Sequence, residues 1–399
     1  MTLPPSSALP AWLQQRFKAS GAAVSFRTYM EWVLHDPLHG AYGAGRLRIG
    51  PTGDFATAPS LGPDFAALLA NQIAEWLNAL ATAAPGTLAL VEAGPGEGSL
   101  ALQLAEVLLE DWPQLAQRLE LVLVEPNEGM AARQRALLQD CPLPCRWASF
   151  TELAASPVRG VVLAHEVLDA LAVDRIEWDG ALWRQQMVVL HQGPDAELSL
   201  RLEPGAPLEP AVAAQLEPLG LLLPSPQRPS GWSSELHPGL APWLNDCAAA
   251  VANGQLLVID YALEAWRYYA PQRSGGTLMA YRCQQASSNP LLEPGAWDLT
   301  AHLCIESLDA AAVASGWQPL GQCRQGQALL ALGLAERLHG LQQEAPASLA
   351  TVLARREALL RLVDPVALGD FRWLAYGRGV TPELPRFSRE PGFLTPATG

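Results

Sequence analysis

Apolar residues along this chain follow two rhythms that alternate. From near Ser60, the residues Phe65, Leu68, Leu69, Ile73, Trp76, Leu77 and Leu80 fall three and four apart, which predicts a helix with one apolar face turned to a core. Leu88-Ala89-Leu90-Val91 is a continuous apolar run and predicts a buried strand ending in Glu92; Leu100, Leu104, Val107 and Leu108 predict the helix after it. Leu121 to Val124 reads as a second strand, ending at Glu125, and a helix through Met130, Arg133 and Leu137 follows. Val158 to Ala164, leading into His165-Glu166, and Gln255 to Ile259, leading into Asp260-Tyr261, are further strands. Strands that alternate with helices predict an α/β fold with a parallel, doubly wound sheet, and such sheets bind ligands at the carboxyl ends of their strands. Trp317 to Gly321 and Gln327 to Leu332, joined by a short glycine-containing loop, predict a final antiparallel hairpin.

Elsewhere the rhythm changes and suggests additions to this core. Residues 1–59 read as a helical and loop-rich lead-in, with turn signals at Gly40-Ala41-Tyr42-Gly43-Ala44-Gly45 and Gly50-Pro51-Thr52-Gly53. The core then spans 60–335 and carries an insertion over about 174–236. There Ile176-Glu177-Trp178-Asp179-Gly180-Ala181-Leu182-Trp183 places an Asp-Gly turn between strand-like arms, a hairpin signal. The proline-rich stretch from Pro204 to Pro238 reads as an ordered loop on the substrate side. Residues 336–399 read as a helical extension, with Leu349, Val352, Leu353, Leu359 and Leu360 in an amphipathic stretch.

Composition narrows the chemistry. A formal net charge of −14, without clustered Lys and Arg, argues against binding the backbone of a nucleic acid. No apolar stretch reaches membrane-spanning length. The start Met1-Thr2-Leu3-Pro4-Pro5-Ser6-Ser7 lacks the regions of a secretory signal and is not Arg-rich like a mitochondrial presequence, so a cytoplasmic location is expected. Cys141, Cys145, Cys247, Cys283, Cys304 and Cys323 are scattered, form no zinc-type double pair and read as reduced thiols; no metal site is expected.

The stretch Glu92-Ala93-Gly94-Pro95-Gly96-Glu97-Gly98-Ser99-Leu100 joins the first strand to its helix through three glycines. Glycine permits positive φ and close approach of a ligand, and the amides of the following helix favour a carboxylate or phosphate. A phosphate-binding loop would need a lysine after its last glycine, and Lys18 is the only lysine here. A dinucleotide fingerprint would want Gly or Ala where Ser99 stands. The spacing Glu92, Gly94, Gly96, Gly98, with Glu125 closing the next strand, resembles the first two motifs of class I S-adenosyl-L-methionine methyltransferases. In such a site Glu125 would accept the ribose hydroxyls, the helix start would take the cofactor's carboxylate, and Glu92 would attract its ammonium directly or through water.

Further blocks extend the likeness to nearly the whole chain. Gly53-Asp54-Phe55-Ala56-Thr57-Ala58-Pro59, Val124-Glu125-Pro126 with Gln134, His165-Glu166-Val167-Leu168-Asp169-Ala170-Leu171, Gly276 to Arg282, Asp298 to His302 and Gly369-Asp370-Phe371 recur in order. In these the chain resembles the MidA-type methyltransferases, whose mitochondrial members act in assembly of respiratory complex I. It departs from their pattern at His165, where the family has Asn, and at Ala172, Gln284 and Cys304. The resemblance implies a Rossmann-like methyltransferase sheet, S-adenosyl-L-methionine as cofactor, and protein arginine N-methylation of a respiratory-complex-type subunit. A non-catalytic assembly factor that retains the cofactor and a small-molecule methyltransferase are the alternatives, and the oligomeric state stays open between monomer and homodimer.

A guanidinium must be held by carboxylates with one nitrogen facing the methyl group, and Glu166 and Asp169 are the candidates. Otherwise Glu166 is a helix-start acid and Asp169 a backbone cap. His302 either orients a carboxylate or is satisfied by a carbonyl. Thr57 and Pro59 either close over the cofactor or lead into the helix after Ser60, and Asp298 joins the site or caps the Thr300 turn.

Overall fold

Seven strands form the central sheet of the computed structural model, which describes residues 9–50, 53–54, 56–221, 228–341 and 349–389. Residues 1–8, Pro51, Thr52 and Phe55 of the lead-in, 222–227 of the proline-rich stretch, and 342–348 and 390–399 of the expected helical extension lie outside the described residues. The strands are β1 (Leu88–Ala93), β2 (Leu119–Val124), β3 (Cys145–Trp147), β4 (Val158–His165), β5 (Val251–Asp260), β6 (Gln318–Arg324) and β7 (Arg372–Arg378). Their order across the sheet is β3-β2-β1-β4-β5-β7-β6. The first five run parallel, and β7 is antiparallel to both its neighbours.

The continuous apolar runs of β1, β4 and β5 follow from burial on both faces. On one face Leu88, Leu90, Leu121, Leu123, Val161, Leu163 and Leu257 pack with α1 (Asp64–Ala83) and α2 (Ser99–Asp111). On the other, Ala89, Val91, Val122, Val162 and Val258 meet helices Leu240–Ala250 and Ile305–Ala314. Beyond β2 lies α3 (Glu128–Leu137), whose start is capped by the Asn127 side chain accepting from the Met130 amide. Among the described residues no helix is long and apolar enough to cross a membrane.

The final hairpin is corrected by the structure. Gln318–Arg324 is a strand as expected, but Gln325–Ala331 is a helix whose buried Gln325, Ala328 and Leu329 follow helical spacing. The antiparallel partner of β6 is β7, inside the stretch that reads in sequence as a helical extension. Helix Leu349–Val363 of that extension does form, but its buried face carries Leu359 and Leu362, while Leu353 and Leu360 are exposed.

The insertion builds a second, antiparallel sheet. Asp174–Trp178 pairs with Trp183–Gln192 across the Asp179-Gly180 turn, where Asp179 Oδ1 accepts from the amides of Ala181 and Leu182 and Gly180 takes φ 101°. Ala23–Ser25 of the lead-in, Leu198–Pro207 and Trp232–Leu236 complete it, so the proline-rich stretch is in part strand and not only loop. Helices Ala11–Ala19 and Phe26–His35 bury Leu13, Phe17, Phe26 and Tyr29 in a third apolar cluster that includes Val188 of this sheet and Trp297 and Leu299.

Candidate functional site

The carboxyl ends of β1, β2, β4 and β5 converge beside the glycine turn. Gly94, Gly96 and Gly98 adopt φ of 61°, 55° and 88°. A Cβ on Gly94 would lie 2.0 Å from Val167 Cγ2, and one on Gly96 would lie 2.7 Å from Ile49 Cδ1. The first contact brings the turn after β4 directly onto the turn after β1. Gly98 caps α2 and lets its first amides face outward from the sheet end. Glu92 is buried and accepts from the Ala101 amide in the first turn of that helix, while its Oε2 has no partner. Burial pushes its carboxyl up to about 8.

Glu125 sits just beyond β2. Its Oε1 accepts from the Asn127 amide at 2.8 Å and its Oε2 from Gln134 Nε2 at 3.1 Å. Gln134 is fully buried on α3, donates to the Gly96 carbonyl at 2.8 Å and accepts from Trp147 Nε1 at 2.9 Å. Burial raises the Glu125 carboxyl, and the Asn127 amide and Gln134 oppose that rise. The lead-in closes over this end: Asn127 Nδ2 donates to the carbonyls of Tyr42 and Gly43, and Arg133 Nη1 to that of Gly45.

Across the turn from Glu125 lies a set of buried acids. Glu166 adopts φ 51°, a left-handed conformation that costs a non-glycine residue about 1 to 3 kcal/mol. It is held there by its own amide donating to Ile259 O at 2.9 Å, and its carboxylate accepts from the Ala58 amide. Asp260 Oδ2 accepts from the amides of Leu168 and Asp169 at 3.1 and 3.2 Å, which pins the Glu166-to-Asp169 turn to the end of β5. Asp298 is buried, bonded to the Tyr42 hydroxyl, and its Oδ1 has no partner. Burial first, and then each other's charge, raises Glu166, Asp260 and Asp298. Asp298 reaches about 8, and burial alone takes Asp169 to about 7. Tyr261 and Tyr281 feel the same acids, and among the described residues no arginine or lysine is a leading influence on these four carboxyls.

Of the residues expected from sequence, Glu92, the three glycines and Glu125 gather at the glycine turn, and Glu166 and Asp169 at the acid set. Thr57 and Pro59 belong to the turn Ala58–Leu61, where the Thr57 amide is capped by Ser60 Oγ and the Pro59 carbonyl accepts from Gln103. The amide of Ala58, which lies between them, donates to Glu166. His302 lies outside the carboxyl set. Its ring packs on Tyr261 at 5.3 Å, its amide donates to Thr277 Oγ1, and burial lowers it to about 4. Sequence reasoning missed Tyr42, Ala58 and the pinning role of Asp260, although the position of Asp260 at a strand end was a usable signal.

These features fit a sulfonium nucleoside. The strand-tip carboxylate of Glu125 is oriented, the three glycines of the turn hold a left-handed backbone, and a buried carboxylate oxygen of Glu92 lacks a partner. Residues 68–323 match the family described as "Putative S-adenosyl-L-methionine-dependent methyltransferase". A Drosophila melanogaster relative named protein arginine methyltransferase NDUFAF7 homolog, mitochondrial, is 27% identical over 381 residues, covering 88% of this chain and 81% of that one. The Homo sapiens protein arginine methyltransferase NDUFAF7, mitochondrial, is 26% identical over 355 residues, covering 82% and 73%. A Burkholderia thailandensis crystal structure bound to S-adenosyl-homocysteine superposes with a TM-score of 0.82 at 29% identity, covering 95% of this chain and 94% of that one. The expected cytoplasmic location is corrected by these relatives, both of which are named as mitochondrial proteins.

Proposed function

Because this chain belongs to the family of S-adenosyl-L-methionine-dependent methyltransferases, we propose that it methylates a guanidinium nitrogen of an arginine in a protein substrate. The observation that carries the choice of acceptor is the set of buried acids Glu166, Asp169, Asp260 and Asp298, on which, among the described residues, no Arg or Lys stands as a leading influence. Such a set is costly to ionise until a cation arrives. Arginine supplies a planar cation that stays charged at every relevant pH and pairs with two carboxylates at once.

The sheet order β3-β2-β1-β4-β5-β7-β6 supports a class I, Rossmann-like reading of the core. Glu125 would hold the ribose hydroxyls, the first amides of α2 the cofactor carboxylate, and Glu92 Oε2 its ammonium. S-adenosyl-L-methionine, when bound, supplies an electrophilic methyl group on a sulfonium. Glu166 and Asp169 orient the guanidinium so that one nitrogen faces that methyl, and positioning of this kind is worth about 7 to 11 kcal/mol in well-aligned systems. The proton that leaves the nitrogen is taken by a carboxyl of the set, and Asp169 at about 7 is suited to it. His302 supports the site through its tilted ring contact with Tyr261. The resemblance to MidA-type proteins points to a subunit of a respiratory-complex-type assembly as the client.

Radiolabelled S-adenosyl-L-methionine incubated with the protein and a lysate from cells lacking it is expected to label a protein band. The label should vanish with Glu166→Gln, and mass spectrometry should locate a methylated arginine. Label confined to the small-molecule fraction, or cofactor binding without transfer, would overturn this reading.

A further inference from the structure

The last residue of β4 and the first beyond it face each other in an unusual way. His165 Nε2 lies 3.5 Å from Glu166 Oε1, both side chains are buried, and neither atom has any hydrogen-bond partner. The imidazole donates instead to the carbonyl of its own residue, which leaves Nε2 as the bare nitrogen. Phe65 of α1 lies against the ring at 5.3 Å and offers it no polar contact. A bare lone pair opposite a carboxylate oxygen would repel it, whereas a proton between them turns the same pair into a hydrogen bond. Burying that neutral pair costs less than burying an imidazolium and a carboxylate.

We propose that His165 decides where the acid set keeps one of its protons: Glu166 carries it on Oε1 and donates to Nε2. His165 is then a positioning residue that acts through Glu166. The groups facing Glu166 are Asp169 on its own turn, Asp298 from strand Asp298–Thr300, Tyr42 of the lead-in, the Ala58 amide, and Asp260 and Tyr261 at the end of β5. All the titratable ones are acids or phenols, so each favours a neutral Glu166. When a guanidinium enters, its charge lets Glu166 give up that proton to bulk water and bind as a carboxylate. The kinetic part of this proposal rests on the arginine reading; the resting proton position does not.

Nitrogen NMR of histidine-labelled protein tests the resting state. Among the seven histidines, the His165 signal is identified by its loss in His165→Phe or, should that variant not fold, by its displacement in Glu166→Gln. The expected result is an unprotonated Nε2 that stays so between about pH 5 and 9. An imidazolium signal in that range, or a proton on Nε2, would overturn the proposal. In the kinetic arm, His165→Phe removes the acceptor and should move the acid limb of kcat/KM down by about one pH unit. An unmoved limb would also overturn it. Absence of arginine methylation by the wild-type protein, with the His165 signal as expected, would reject the function and leave the proton assignment standing.

Discussion

Gln134 and Glu125 are bonded to each other at 3.1 Å, and the same Gln134 nitrogen reaches the Gly96 carbonyl at 2.8 Å. One buried amide therefore ties the strand-tip acid to the glycine turn, and Trp147 fixes the amide's orientation from the other end. Replacing it by leucine leaves three partly buried polar groups without their partner. Gln134→Leu should lower stability by about 1 to 3 kcal/mol. It should also weaken S-adenosyl-homocysteine binding on the order of tenfold or more, because Glu125 loses a bond that orients it. Urea unfolding and calorimetry on the same preparation separate the two effects.

Gly94 makes a second, stricter demand. At φ 61° and with Val167 Cγ2 only 2.0 Å from where a Cβ would lie, Gly94→Ala meets both backbone strain and a collision. The strain alone should cost on the order of 1 to 2 kcal/mol. Adding Val167→Ala should recover the collision but not the strain, so the double variant is expected to fall between wild type and Gly94→Ala in urea midpoint. Equal midpoints for the two variants would mean that Val167 does not rest on the turn.

The acid set makes a prediction about pH. Asp169 and Asp298 rise from the usual 3.8 to about 7 and about 8 in the folded protein. The folded state therefore holds protons that the unfolded chain has released, and stability falls as pH climbs from near 4 through 7 to 8. Without ligand, the protein should melt lower at the upper end of that window than at its middle. Asp298→Asn should flatten the slope and raise the melting temperature at the alkaline side. A slope of opposite sign, or one that Asp298→Asn leaves unaltered, would show that these carboxyls are ionised when buried.

Catalysis should respond differently at the two ends of the site. Glu125→Gln leaves the acid set intact and should weaken cofactor binding, raising KM for S-adenosyl-L-methionine, with a smaller effect on kcat. Asp169→Asn leaves the cofactor turn intact and should lower kcat on the order of 100-fold or more by removing a proton acceptor, with cofactor affinity retained. Methyl-transfer kinetics beside calorimetric binding of S-adenosyl-homocysteine read both. Loss of cofactor binding in Asp169→Asn would place that residue in the wrong half of the site.

What could be read from the chain was whatever lies close together in it. The apolar runs of β1, β2, β4 and β5, the spacing of α1 and α2, the Asp179-Gly180 turn and the glycine turn at 94, 96 and 98 are local patterns, and all appear where the pattern puts them. β7 escaped because Arg372–Arg378 follows a long helical region and finds its partners far back in the sequence. Gln327 to Leu332 looked like its stand-in because a short apolar run has no clear period. The acid set escaped for a related reason. Tyr42, Glu166, Asp260 and Asp298 come from four distant segments, and each taken singly resembles an ordinary cap or turn residue. Only Glu166 and Asp169, three apart, betrayed themselves as a pair.

The place of β7 between β5 and β6 has a bearing on how the protein comes into being. A strand synthesised after both of its neighbours must enter a gap already flanked by them, so until residue 378 has left the ribosome the growing chain presents two open strand edges. Shortened versions ending before position 372 would keep those edges permanently and should clump, whereas a purification tag fused beyond residue 389 leaves the insertion step untouched.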